Sequence, residues 1–133
     1  MKHVHLVVYG EPASKANSRK LVLFGKRPAS IKSDKARGYA RDFDLQVRPI
    51  APLMAGELRM DIWIYYATQR PDLDESLILD LLQGKVYEND RQVRERHVYH
   101  QIDKASPRIE VIIRPRDPLF AGAELQRLRG EQN

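Results

Sequence analysis

The sequence contains no cysteine. This absence excludes disulfide bridges, thiolate zinc sites and cysteine nucleophiles, and it fits a protein of the reducing cytoplasm. Any metal ion would have to be held by carboxylate oxygens or imidazole nitrogens. Four histidines are present, but their spacing matches no recognised zinc motif, so we do not expect a zinc site.

Long apolar runs are also missing. No stretch approaches the roughly 20 apolar residues of a membrane-spanning helix. The apolar residues 6–9 are too few for the core of a signal peptide, and we interpret them as part of a first strand. The chain has 133 residues, of which 42% are hydrophobic, which suits one domain with a real core. We expect a cytoplasmic protein with no membrane partner and no small-molecule cofactor.

Positive charge is concentrated in one segment of the chain. Between residues 15 and 41, nine lysines and arginines oppose a single acidic residue, Asp34, so the segment carries +8 although the whole chain carries only +5. Segregated basic charge is typical of a surface that binds a polyanion. The alternative is a solvated loop and helix face. The candidate DNA-binding residues are Lys15, Arg19, Lys20, Lys26, Arg27, Lys32, Lys35, Arg37 and Arg41.

Apolar periodicity predicts the order β-α-β-α-β-β, with an optional early hairpin at residues 21–28. Ser33 is a suitable N-cap for the first helix, and Gly84 fits the position after the second. Strict alternation over residues 57–66 is the strongest strand signal. The predicted strands are 3–9, 57–66, 92–102 and 108–114, and the predicted helices are 34–48 and 73–83.

These elements predict an α+β fold, in which a small mixed sheet of about four strands carries two helices on one face. Strands joined through a helix should lie parallel, with right-handed crossovers. The last two strands are expected to form an antiparallel hairpin. The domain should cover residues 1–116, and residues 117–133 should form a C-terminal tail that is weakly amphipathic or disordered.

Three carboxylates are candidates for chemistry. Asp72 and Asp74 are two residues apart, so an extended backbone would direct both to one side, and Asp90 follows the other end of the second helix. Close carboxylates repel unless a cation neutralises them, and their oxygens suit magnesium or manganese. The alternative is structural, since aspartate is also a good N-cap and turn residue. Asp80, in the middle of the helix, is either a solvated residue or a supporting ligand.

The same region resembles the RusA family of Holliday junction resolvases. The resemblance rests on residues 71–74 (PDLD), 80–84 (DLLQG) and 86–93 (VYENDRQV), and more weakly on the opening at residues 10–15 (GEPASK). These segments are similar to the family's D-x-D helix, the Asp and Gly further along that helix, and its D-D-x-Q-V element before a strand. The resemblance spans residues 4–113, in order.

The resemblance implies a function. It makes Asp72, Asp74 and Asp90 the catalytic and metal-binding residues. It further implies a homodimer that uses Mg²⁺, or Mn²⁺ as a substitute, to nick four-way DNA junctions symmetrically during recombination and repair. A bacterial or phage-encoded enzyme is expected.

Two positions depart from the family pattern. Asn89 replaces the first Asp of the D-D pair, and no lysine occupies the place of the family's lysine in the helix. Arg70, Lys85 or Lys15 are candidates to supply that charge. Three alternatives therefore stay open: a branched-DNA-binding protein that has lost catalysis, a nuclease for flaps or other branched DNA, and a basic module with another partner.

Phe24, near the hairpin tip, is either a wedge for the junction centre or an ordinary strand residue.

Overall fold

The computed structural model describes residues 3–13, 19–69 and 75–131. Within these ranges the protein has an α+β fold with a four-stranded mixed sheet, as predicted, together with a separate two-stranded hairpin and three helices. The elements are β1 Val4–Tyr9, β2 Arg19–Phe24, β3 Arg27–Lys32, α1 Asp34–Gln46, β4 Leu58–Tyr66, α2 Glu75–Leu82, a 3₁₀ turn Asp90–Gln92, β5 Val93–Ile102, β6 Arg108–Pro115 and α3 Pro118–Glu131.

The order of the strands in the main sheet is β1-β6-β4-β5. β4 and β5, which are joined through α2, pair in parallel as expected. The expected hairpin between β5 and β6 is wrong, because β6 pairs antiparallel with β1 and β4, and β4 separates it from β5. The burial of the strands explains this order. β6 buries Ile109, Val111 and Ile113 between two partners, whereas β5 exposes Arg94 and Arg96 and suits an edge.

The alternation along β4 sets the position of the core. Leu58, Met60, Ile62 and Ile64 are fully buried on the face covered by helices, as the alternation predicted. Burial of apolar side chains such as these is the main source of stability in a small domain. The helices add their own apolar stripes to this face, with Ala36, Tyr39 and Phe43 from α1 and Leu77, Ile78, Leu79, Leu81 and Leu82 from α2.

The ends of α1 follow from local chemistry. The Ser33 hydroxyl accepts a hydrogen bond from the backbone N–H of Ala36 at 3.1 Å, which confirms the predicted N-cap. The helix ends at Gln46, two residues before the predicted end. Val47 is already extended, and Pro49 disfavours a helical conformation at the residue before it.

The optional hairpin is present. β2 and β3 pair antiparallel across the two-residue turn at residues 25 and 26, where Gly25 has a φ of 64°. A positive φ is readily adopted by glycine, so the position of Gly25 explains why the chain reverses there.

The face of the sheet opposite α1 and α2 carries polar and aromatic groups. Asp61 is only 4% exposed, and Arg59 and Arg114 donate to its carboxylate at 3.2 and 3.4 Å. On the same face Trp63 stacks on Tyr99, with ring centroids 5.2 Å apart. None of the described helices is long and apolar enough to cross a membrane.

Candidate active site

Asp80 and Asp90 form a pair of carboxyl groups. Asp80 lies on α2, and Asp90 begins the 3₁₀ turn before β5. Partial burial raises the pKa of Asp80, and the charge of the Asp90 carboxylate and hydrogen bonding to it raise that pKa further. Two carboxyls in this arrangement favour a shared proton or a bound cation.

A tight turn after α2 brings the two aspartates together. Gly84 has a φ of 79°, as its predicted place after the helix requires, and its N–H donates to the carbonyl of Tyr87 at 2.7 Å. The buried Tyr87 hydroxyl donates to the carbonyl of Leu79 at 2.6 Å. The backbone N–H of Asp90 then donates to Gln83 Oε1 at 3.0 Å. The end of α2 therefore positions Asp90 directly.

Gln92 ties this turn to the rest of the fold. Its Oε1 accepts hydrogen bonds from the N–H groups of Glu88 and Asn89, both at 3.1 Å. Its Nε2 donates to the carbonyl of Met54 at 2.9 Å and to that of Gly56 at 3.1 Å. One side chain thus joins the segment that carries Asp90 to the segment before β4.

Basic residues border the carboxyl pair. Arg19 and Lys32 face each other in register at the open end of the β2–β3 hairpin. Their positive charges lower the pKa of Asp80, in opposition to the stronger effects of burial and Asp90. The basic segment found in the sequence therefore adjoins the carboxyls in space.

The other basic candidates occupy the hairpin and α1. Lys20 donates to the Asp34 carboxylate at 3.0 Å, and Arg37 also pairs with Asp34. The hairpin carries Arg19, Lys20, Lys26, Arg27 and Lys32, and α1 carries Lys35, Arg37 and Arg41.

Four candidates lie outside the described residues: Asp72, Asp74, Arg70 and Lys15. Their roles stay predictions. Lys85 is described, and its ammonium pairs with Asp44 on α1 at 2.6 Å, with 18% of its side chain exposed. Within residues 3–13, 19–69 and 75–131, no three His, Asp or Glu side chains form a group that could hold a metal ion.

The contributions of Gln83 and Gln92 did not emerge from the sequence analysis. A signal for Gln92 was present, since Asn89 and Gln92 have the spacing of a capping box, in which each side chain bonds the other's backbone. The contact between Asp80 and Asp90 had no comparable signal. It depends on the chain reversal after α2.

A small α+β fold in which paired carboxyls border a strongly basic surface defines a protein suited to act on a polyanion. The family model described as endodeoxyribonuclease RusA matches residues 10–114. This match covers most of the chain, so the protein belongs to the RusA endodeoxyribonuclease family. A search of curated proteins returned no significant match.

The carboxyl pair leads to a prediction about stability. Because the pKa of Asp80 is raised in the folded protein, the folded state binds this proton more tightly than the unfolded state. Stability therefore falls as the pH rises through the raised pKa. Asp80→Asn is expected to increase the free energy of unfolding at pH 7, and the gain should disappear below pH 3.8, the ordinary pKa of this group.

Urea unfolding at pH 7 and pH 3, in EDTA, measures this difference. Asp42→Asn, at an exposed position of α1, is the matched control and should show no such pH-dependent gain. If Asp80→Asn shows no gain in stability at pH 7 relative to pH 3, the raised pKa of Asp80 is contradicted.

Proposed function

We propose that this protein is a metal-dependent endodeoxyribonuclease that resolves Holliday junctions by paired nicks during recombination and repair. Membership of the RusA family supports nuclease chemistry. The observation that carries the proposal is the Asp80–Asp90 pair beside Arg19 and Lys32, which combines ligands for a cation with a surface for phosphates.

Asp72, Asp74 and Asp90 are proposed to hold Mg²⁺ or Mn²⁺, with Asp80 in support. The chemistry of the described pair fits such an ion, because its donors are carboxylate oxygens, and because burial and, next to it, the Asp90 charge raise the pKa of Asp80 and so disfavour a carboxylate that a cation would stabilise. When bound, Mg²⁺ would supply a more acidic water and charge stabilisation for phosphodiester hydrolysis.

The chain's own residues would prepare the site for hydrolysis. Gln83 and Gln92 hold the turn that presents the Asp90 carboxylate. The basic hairpin and α1 would bind backbone phosphates through charge, without reading the bases. This division of roles predicts selectivity for DNA shape rather than for an extended sequence.

A homodimer is part of the proposal. A four-way junction has approximate two-fold symmetry, and an isologous dimer presents two active sites in the same relation. The face of the main sheet opposite α1 and α2, with Trp63 and Tyr99, supports a partner there, because aromatic side chains are enriched at interfaces.

Phe24 is proposed as a wedge at the junction centre. It is the last residue of β2, directly before the turn, and 64% of it is exposed. Lys26 and Arg27 follow it in the chain. An exposed aromatic ring near basic residues in the chain suits insertion between bases, since apolar wedges unstack base steps in several protein–DNA complexes.

The decisive experiment uses a synthetic four-way junction, with and without Mg²⁺, and compares the wild type with Asp74→Asn. We expect symmetric nicking that requires Mg²⁺, poor cleavage of plain duplex, and a variant that binds the junction but does not cleave it. Junction binding by the wild type without cleavage would favour a non-catalytic DNA-binding protein. Preferred cleavage of flaps would favour another branched substrate, and full activity of Asp74→Asn would contradict the assigned site.

A further inference from the structure

A groove lies where the end of β3 meets α1. Its volume is about 510 Å³, and it opens to solvent. This volume falls within the roughly 300–1,000 Å³ typical of ligand sites. The residues that line it are Lys32, Asp34, Arg37, Ala40 and Arg41.

The charges in this groove are only partly neutralised. Among the described residues that line it, Asp34 is the one acidic residue, and its carboxylate already pairs with Arg37 and with Lys20 from β2. Those two cations lower the pKa of Asp34, so this carboxylate is ionised and occupied at neutral pH. Among the described residues, Lys32 and Arg41 have no ion-pair partner in the structure. The groove therefore has two available cations, held in a concave surface that concentrates their potential.

Lys32 links the groove to the candidate active site. It lines the groove at the end of β3, and its charge also acts on Asp80. An extended DNA strand whose scissile phosphate lies at the carboxyl pair would carry further phosphates past this position. A phosphodiester backbone is negatively charged, as the two cations of the groove require. It is also long enough to extend from the carboxyl pair to the groove.

We propose that this groove binds one backbone phosphate of the DNA, near the scissile phosphate but distinct from it, with Lys32 and Arg41 as its ligands. The inference rests on the proposed function and assigns a discrete subsite within it. The Arg41 guanidinium offers a planar fork for two phosphate oxygens, and Lys32 offers a compact charge. Ala40 contributes a small side chain to the lining, and the Asp34 carboxylate holds Arg37 in an ion pair.

The test measures junction binding in EDTA, where cleavage is prevented, at several salt concentrations. The variants are Lys32→Gln, Arg41→Gln and the double variant, which remove the positive charge and keep a polar side chain. Lys104→Gln and Arg48→Gln, at exposed positions outside the groove, are the matched controls. Each groove variant should bind about tenfold more weakly, as expected for the loss of a hydrogen bond between charged groups.

The salt dependence of junction binding tests whether Lys32 and Arg41 share one phosphate. Each neutralised phosphate contributes a slope of about 0.9 in log K against log salt. The double variant should therefore lose about one unit of slope relative to the controls. A loss of about two units would indicate two separate phosphates, and unchanged affinity and slope would show that the groove binds none. Either result would overturn the proposal.

A second measurement separates this subsite from catalysis. In single-turnover cleavage with Mg²⁺, Arg41→Gln should need about tenfold more protein than the wild type to reach half of its own maximal rate, because the groove binds DNA rather than reacting with it. If Lys32→Gln loses cleavage rate while its affinity for the junction is unchanged, Lys32 acts in catalysis, and its proposed role in the groove is overturned. If the wild type binds junctions but never cleaves them, the proposed function is contradicted. The binding measurements still test whether the groove binds a backbone phosphate.

Discussion

Asp90→Asn is expected to reduce cleavage of a four-way junction by on the order of 10³-fold at saturating protein, the usual size for loss of one group that stabilises transition-state charge. Asn has nearly the same shape, and the hydrogen bond from the backbone N–H of residue 90 to Gln83 is retained. Junction affinity in EDTA should therefore stay close to that of the wild type. Single-turnover cleavage and a binding titration measure the two effects separately.

A second readout of the same variant tests the geometry without cleavage. The charge of Asp90 raises the pKa of Asp80, so removing that charge should lower the pKa of Asp80 toward its ordinary value. Carboxyl carbon resonances followed by NMR through a pH titration report this shift. Asp42→Asn should change neither the cleavage nor the titration. Full activity of Asp90→Asn would remove Asp90 from the catalytic set, and an unchanged Asp80 titration would contradict the pair.

Gln92→Ala is expected to lower the free energy of unfolding by about 2–3 kcal/mol, the combined effect of several net hydrogen bonds of about 0.5–1.5 kcal/mol each. The variant leaves the N–H groups of Glu88 and Asn89 and the carbonyls of Met54 and Gly56 without this partner. Because the affected turn carries Asp90, cleavage should also fall, while DNA affinity, which we propose to depend on the hairpin and α1, should change little. Urea unfolding and single-turnover cleavage test both effects.

Gln101→Ala provides the matched control, since this glutamine is exposed on β5 and away from the turn. It should match the wild type in both stability and cleavage. If Gln92→Ala unfolds at the same urea concentration as this control, the four hydrogen bonds do not hold the turn. If it is destabilised but cleaves normally, the turn does not need this side chain to position Asp90.

Local features of the fold were predictable because their causes lie within a few residues of each other. The alternation of β4 identified the buried positions Met60, Ile62 and Ile64. Ser33 marked the start of α1, and Gly84 marked the reversal after α2. Each of these signals depends on side-chain periodicity, capping or an allowed φ, all of which operate over one or two turns of chain.

The order of the strands was not predictable in the same way. β5 and β6 are consecutive and alternate similarly, so the sequence favoured a hairpin. The tertiary structure inserts β4 between them, because the parallel crossover through α2 places β5 at the edge and leaves the other side of β4 for β6. The order of the strands depends on which faces of the sheet and helices can be buried together, and no short segment of the sequence contains that information.

The candidate site likewise has features that the sequence predicts and features that only the tertiary structure shows. The sequence by itself determined the basic segment, the acidic residues with oxygen donors and the RusA resemblance, since composition and motif spacing are properties of the chain. The predictions for Asp72 and Asp74 still rest on that resemblance. Only the tertiary structure decided that Asp80 meets Asp90, that Arg19 and Lys32 border them, and that Gln92 reaches Met54 and Gly56. Asp80 and Asp90 meet through the chain reversal after α2, whereas the other contacts join segments far apart in the chain, which come together when the shared core is buried.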